Sequence, residues 1–275
     1  MAEYDFRARE VDTGTPTSAR LYHYYLTGEP VYRNDQVFAD KVYDELPFLH
    51  TWALHNRAFL ARAVRFMAAE GIRQFLDIGS GLPTGGNTHE VARDIAPDAR
   101  VVYVDKDLDA VVRAHQLLRR ENSLEKTAVV EGDLSDPASI IDHPDSRRLI
   151  NTNEPVGLLI VSVLPFLPDA SDPHRLVADI RDRLPRGSYF AATHVSLEDA
   201  DEHTKKQVAA AAALYQATSD PVHLRDRATF TRFFDGFTVI SPPGVTYATD
   251  WQPEGPVDQD DPARPCNFAA VGRRP

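Results

Sequence analysis

Arg73-Gln-Phe-Leu-Asp-Ile-Gly-Ser-Gly81 reads as an apolar strand that ends in Asp77-x-Gly79-x-Gly81. Glycines directly after a strand let the backbone approach a ligand, because no Cβ stands in the way. A carboxylate two residues earlier can take a cationic or hydroxyl group of that ligand. A nucleoside-binding α/β sheet begins in this way. Three further strand ends repeat the signal. Val101-Val-Tyr-Val-Asp105 closes 28 residues after Asp77, and Val129-Val-Glu-Gly-Asp133 closes 28 after that. The run Val156-Gly-Leu-Leu-Ile-Val161 leads to Ser162, 29 residues on. Each interval fits one strand plus one crossover helix. In an open parallel sheet the carboxyl ends share one edge, so Asp77, Asp105, Asp133 and Ser162 should gather around one crevice.

Composition sets the outer limits. The chain has 275 residues, 43% hydrophobic and 26% charged, enough for one large α/β domain with an added segment. No apolar run approaches the roughly 20 residues that span a bilayer. The start, Met1-Ala-Glu-Tyr-Asp-Phe-Arg, has no apolar signal core, which points to the cytoplasm. Cys266 is the single cysteine, so a disulfide framework and a thiolate cluster are both excluded. A net charge of −11 disfavours a nucleic-acid partner. His50 and His55 are five apart, a poor spacing for one helical face, so no metal site is expected.

The polar residues 1–15 precede three predicted helices, Thr17–Thr27, Asp35–Glu45 and Pro47–Glu70. They form an N-terminal helical cap, residues 1–71, ahead of a sheet domain, residues 72–275. Strands are expected at Gln74–Ile78, Arg100–Val104, Thr127–Glu131, Val156–Val161, Gly187–Thr193, Phe237–Ile240 and Asn267–Val271. Asn87 with Glu90 reads as a capping box that opens the first crossover helix. A short helix from Pro137 should stop at Pro144. Helices are also expected at Asp172–Leu184, Asp199–Ala217 and Arg227–Phe234. The last strand follows 26 residues rich in Pro, Asp and Gly, read as a long loop.

This order of seven strands resembles the class I S-adenosylmethionine (SAM) methyltransferase fold: a mostly parallel sheet whose last strand runs antiparallel. The chain is more narrowly similar to a mostly actinobacterial family of SAM-dependent methyltransferases without a settled substrate. The resemblance is carried by Ala19-Arg20-Leu-Tyr22, Asn56-Arg57-x-Phe59-Leu60, Gly71 through Thr84, Arg100 through Asp105, and Val271-Gly-Arg-Arg-Pro275. The family more often has His at position 165, where this chain has Pro165.

The resemblance implies a cofactor site. Asp105 should accept both ribose hydroxyls and Lys106 should flank it. Asp133, with Gly132 and Leu134, should take the adenine. Asp77, Gly79, Ser80 and Gly81 should surround the methionine part, with Ser162 closing that side. Arg57 can pair with the SAM carboxylate, against the plainer reading of a solvated arginine. Tyr22 and Tyr25 fit either a pocket edge or a helix core, and His89 reads as an exposed first-turn histidine. His194, just past strand 5, is the candidate general base toward a small-molecule methyl acceptor. The segment from Tyr215 to Arg225 and the alanine-rich helix before it should wall the acceptor. Two other functions compete. A nicotinamide-dependent oxidoreductase would need G-x-G-x-x-G, but Thr84 stands at the third glycine position. A SAM-binding sensor without chemistry would carry the same motifs.

Overall fold

The computed structural model describes residues 11–275; the first ten residues of the polar N-terminal stretch lie outside the described residues. Three helices come first: α1 Ser18–Thr27, α2 Arg33–Glu45 and α3 Leu49–Ala69. Then β1 Gln74–Ile78, α4 Thr88–Ile95, β2 Arg100–Asp105, α5 Leu108–Arg120 and β3 Thr127–Glu131 alternate. The chain continues through α6 Pro137–Asp142, α7 Pro144–Leu149, β4 Gly157–Ile160, α8 Pro173–Arg181 and β5 Tyr189–Val195. It ends with α9 Glu202–Tyr215, α10 Arg227–Arg232, β6 Thr238–Val239, β7 Thr246–Tyr247 and β8 Asn267–Arg273.

The strand order is β3-β2-β1-β4-β5-β8-β6. The first five strands are mutually parallel, and β8 runs antiparallel to both β5 and β6. This is the expected fold class, with one addition. The long Pro- and Gly-rich connection is not all loop: Thr246–Tyr247 pairs with β8, making an eighth strand of two residues. Order reverses between β1 and β4, so a crevice opens there at the carboxyl ends.

Period-two alternation divides the sheet's side chains between two layers. Leu76, Ile78, Val102, Val104, Ile160, Phe190 and Phe268 pack on one face, beneath α6, α8, Phe230 of α10 and the Phe233 and Phe234 that follow it. Phe75, Val101, Tyr103, Leu159, Tyr189 and Val271 pack on the other, against Phe59, Ala63, Val64 and Met67 of α3. Phe59 and Phe66 meet the fully buried Trp251 edge-on. Burying a side chain of that size stabilises by roughly 1.5–3 kcal/mol. By contrast, α1 and α2 join a third cluster with α9, through Leu21, Tyr25, Val42, Val208 and Tyr215.

Local signals explain most boundaries. Glu90 accepts a hydrogen bond from the Asn87 backbone N–H at 3.1 Å, closing the start of α4 as the capping box predicts. Asp107, Asp201 and Asp226 cap α5, α9 and α10. The helix from Pro137 stops short of Pro144, as expected, and Pro144 then opens α7 as its first residue, where a missing N–H costs nothing.

Candidate functional site

One cavity of about 190 Å³ lies along the carboxyl ends of the strands. Arg57, Asp77, Gly79, Ser80, Gly81, Asp105, Lys106, Gly132, Asp133, Leu134 and Ser162 all line it. The βα spacing thus brings the four strand-end residues to one place.

Asp105 is held by its own backbone neighbourhood. One carboxylate oxygen accepts from the Gly81 N–H at 2.7 Å, the other from the Asp107 N–H at 2.9 Å. Each oxygen keeps further acceptor capacity, enough for two ligand hydroxyls. Burial pushes its pKa up to about 6, against those backbone hydrogen bonds. Asp77 sits on the β1 end beside it. It accepts from Thr88 Oγ1 at 2.6 Å, and burial also raises its pKa to about 6. The Arg57 guanidinium pulls that value back.

Arg57 reaches from α3 over the loop after β1. Its Nη2 donates to Gly85 O at 3.2 Å and Asn87 Oδ1 at 3.3 Å. Its Nε is buried without a partner among the described residues. The two glycines of the motif differ in purpose. A Cβ on Gly81 would meet nothing within 4 Å, so this glycine does leave the cavity open. A Cβ on Gly79 would lie 2.1 Å from Val163 Cγ2, so here the absent side chain admits Val163.

Lys106 Nζ pairs with Asp220 at 2.6 Å, and Asp220 also accepts from the Ser18 N–H at 2.9 Å. The β2 end is thereby tied to α1. Asp133 accepts from the Ser135 N–H at 2.8 Å and stays partly exposed. Ser162 adopts a positive φ of 60° and donates its N–H to Thr193 Oγ1 at 2.8 Å.

Beyond Ser162 the cavity continues between α1, α2, α9 and the segment that follows it. Tyr22 and Tyr25 line it, as do Tyr215, Val222 and Leu224. A buried relay connects this end to the sheet. Thr193 Oγ1 donates to Asn56 Oδ1 at 2.7 Å, and Asn56 Nδ2 donates to Tyr22 OH at 2.8 Å. The sequence reading quoted Asn56 only as a motif residue beside Arg57. Nothing in the chain marked Thr193 or Asp220, because their partners are remote in sequence.

His194 is not where a general base must be. It lies inside β5, fully buried, and does not line the cavity. Pleating decides this: Thr193 and Val195 face the cavity side, while His194 points to the opposite layer, against Phe230. Its Nδ1–H donates to Val195 O at 2.7 Å, leaving Nε2 to accept from Arg225 Nη1 at 3.1 Å. Burial holds its pKa down to about 3, with the Arg225 charge adding to the effect. Both nitrogens are committed, so the catalytic assignment is withdrawn. One other expectation also changes. His89 is buried, bonded to Tyr103 OH at 2.7 Å and Glu121 at 3.0 Å. Arg20, in the cap motif, is buried against Asp35 and Asp109.

The group implied by the motif fits these residues. The unpartnered Arg57 Nε suits a carboxylate, Asp77 an ammonium, Asp105 a vicinal diol, and Gly81 leaves the backbone open. SAM carries all three groups.

Comparison with known proteins agrees. A DUF574 family protein from Streptomyces avermitilis is 35% identical over 97% of this chain and 100% of its own, with a TM-score of 0.90. A candidate methyltransferase from Thermobifida fusca is 37% identical over 96% of each chain, with a TM-score of 0.87. A mitomycin 7-O-methyltransferase shares the fold at 17% identity and a TM-score of 0.52, over 93% of this chain and 66% of its own. No curated protein matches the chain. With a family model described as S-adenosyl methyltransferase matching residues 5–275, the chain belongs to that family and is a SAM-dependent methyltransferase.

Proposed function

We propose that the enzyme methylates a small molecule held inside the cavity between the strand ends and the wall formed by α1, α2 and α9. The carrying observation is that one continuous lining runs from Asp105 to Tyr215. A site walled by three helices favours a compact acceptor over a macromolecular one. The net charge of −11 and the lack of a basic surface motif in the sequence argue the same way against nucleic acid. Among the described residues no helix is long and apolar enough to cross a membrane. We place the reaction in the cytoplasm.

When bound, SAM supplies a methyl group already activated by its sulfonium. The chain's own residues then have to hold, align and desolvate. In this reading Asp105 accepts the ribose hydroxyls, with Lys106 beside it. Gly132, Asp133 and Leu134 border the adenine. Arg57 takes the carboxylate, Asp77 takes the ammonium, and Gly79, Ser80, Gly81 and Ser162 shape the methionine channel. The relay from Thr193 through Asn56 fixes Tyr22 at the junction of the two ends. Fixed alignment of acceptor, methyl carbon and sulfur is itself a large catalytic term.

Among the described residues, no side chain at the acceptor end is poised as a base. Burial raises the Tyr22, Tyr25 and Tyr215 hydroxyls above the usual phenol range, and the Cys266 thiol up to about 12. The acceptor atom therefore brings its own lone pair, and any proton it carries leaves to solvent.

The test is transfer of labelled methyl from SAM into cell extract divided by size. Label in the low-molecular-weight fraction is expected. Label confined to protein or nucleic acid would overturn the small-molecule reading.

A further inference from the structure

The two ends of the cavity differ in charge. Arg57, Asp77, Asp105, Lys106 and Asp133 all stand at the β1, β2 and β3 ends or face them. Among the described residues, the wall built from α1, α2, α9 and the segment after α9 has no charged side chain lining the cavity. Val42, Val208, Ala211 and Leu224 form most of it, with Leu49 and Trp52 from the first turn of α3 beside them. An ammonium group entering here would find no carboxylate, and a carboxylate would find no cation. Either would lose its hydration without compensation.

A pair of hydroxyls interrupts this apolar wall. Tyr25 OH and Tyr215 OH are 2.8 Å apart, and both rings are buried and line the cavity. Two phenols carry two O–H protons, yet only one can be shared between them. Whichever ring donates, the other O–H has no protein acceptor among the described residues. Burial raises both pKa values, so the pair keeps its protons and acts as a donor. Tyr22 is different, because its hydroxyl already accepts from Asn56 and donates to Ala53 O at 3.2 Å. The spare donor therefore belongs to the Tyr25–Tyr215 pair.

We propose that the methyl acceptor is an uncharged, largely hydrocarbon molecule bearing a carbonyl or ether oxygen, and that the Tyr25–Tyr215 pair donates its spare O–H to that oxygen. This rests on the methyltransferase reading of the cavity. It adds a substrate class and a specificity device to that reading. Aromatic neighbours favour a ring system: Phe166 and Phe38 pack against the Tyr215 ring, and Trp52 meets Tyr22 edge-on.

The experiment uses the full chain loaded with S-adenosylhomocysteine and titrated calorimetrically. The probes are one-, two- and three-ring phenols, each as the parent, its methyl ketone and its carboxylate. In the scaffold that binds best, the ketone should bind at least about tenfold tighter than the carboxylate and roughly fivefold tighter than the parent. A Tyr25→Phe/Tyr215→Phe double variant should bring ketone and parent within about twofold, with S-adenosylhomocysteine affinity unchanged. Either single variant leaves one hydroxyl to donate, so it should keep part of the preference. The proposal is overturned if no ketone outbinds its carboxylate in any scaffold, or if the double variant binds S-adenosylhomocysteine normally yet keeps the full ketone preference. The wild-type ranking decides the charge argument even if the double variant does not fold. Failure of the wild type to bind S-adenosylhomocysteine would instead strike the methyltransferase reading itself.

Discussion

Val163 stands where Gly79 would carry a side chain: a Cβ there would lie 2.1 Å from Val163 Cγ2, at a backbone φ of 71°. Gly81, two residues on, has a similar φ of 68° but open space around the same position. Gly79→Ala should therefore destabilise the protein by about 2–4 kcal/mol, from overlap and strain together. Gly81→Ala should cost only about 1 kcal/mol in stability yet weaken SAM binding, because its methyl enters the cavity. Urea unfolding and calorimetry separate the two effects. Val163→Ala in the Gly79→Ala background should restore part of the lost stability. Equal stabilities for the two glycine variants would refute the distinction.

That contact also shows what a sequence can and cannot express. The strand-end carboxylates were legible because a parallel βα array repeats at a nearly constant interval and aligns its carboxyl ends. Asp77, Asp105 and Asp133 follow from counting. The Gly79–Val163 contact does not, since it depends on how the turn after β4 folds against the turn after β1. His194 failed for a related reason. The pattern placed it just past the strand, but β5 runs on to Val195, so the pleat assigns Thr193 and His194 to opposite faces, and the side chain needed at the cavity was its neighbour. The two-residue β7 carries too little periodicity to be read. Asp220 lies in a loop, and only the folded chain brings Lys106 and Ser18 to it.

Asp77 sets stability against binding. Its folded pKa of about 6 lies above the ordinary 3.8. Between those values the folded state holds more protons than the unfolded one, so its contribution falls as pH rises through this window. The penalty is fully present at pH 7, with a ceiling of about 3 kcal/mol for a shift of this size. Asp77→Asn can still accept from Thr88 and removes the buried charge. It should stabilise the ligand-free protein by about 1–2 kcal/mol at pH 7 and hardly at all at pH 4. SAM affinity should drop in the same variant, and in the wild type as pH falls below 6. A stability gain of equal size at both pH values would count against this account.

His194 predicts the opposite pH limb. Its folded pKa of about 3 lies below the ordinary 6.5, so the folded state holds fewer protons than the unfolded one between these values. Its contribution is fully present above 6.5 and is lost as pH falls toward 3. His194→Gln should flatten that acid limb and cost on the order of 2–4 kcal/mol at pH 7, through the bonds to Val195 and Arg225. Methyl transfer per folded molecule should stay near normal, because the ring does not border the cavity. A variant of native stability with transfer lost would restore His194 to the chemistry.

Arg57 supplies the last prediction, and it isolates one end of the cofactor. The guanidinium is anchored by Nη2 on Gly85 O and Asn87 Oδ1, while its buried Nε is left for a ligand. Lysine keeps the charge at this position but has no Nε–H in the same place and no planar fork. Arg57→Lys should therefore weaken SAM binding by about 1.5–3 kcal/mol, the value of a charge-assisted hydrogen bond to a carboxylate. 5′-Methylthioadenosine, which has the nucleoside and sulfur but no amino-acid group, should bind wild type and variant alike. Calorimetry with both ligands reads the contrast directly. A parallel loss for both would mean that Arg57 acts by holding the loop from Gly85 to Asn87. Equal SAM affinity in variant and wild type would remove it from the cofactor site.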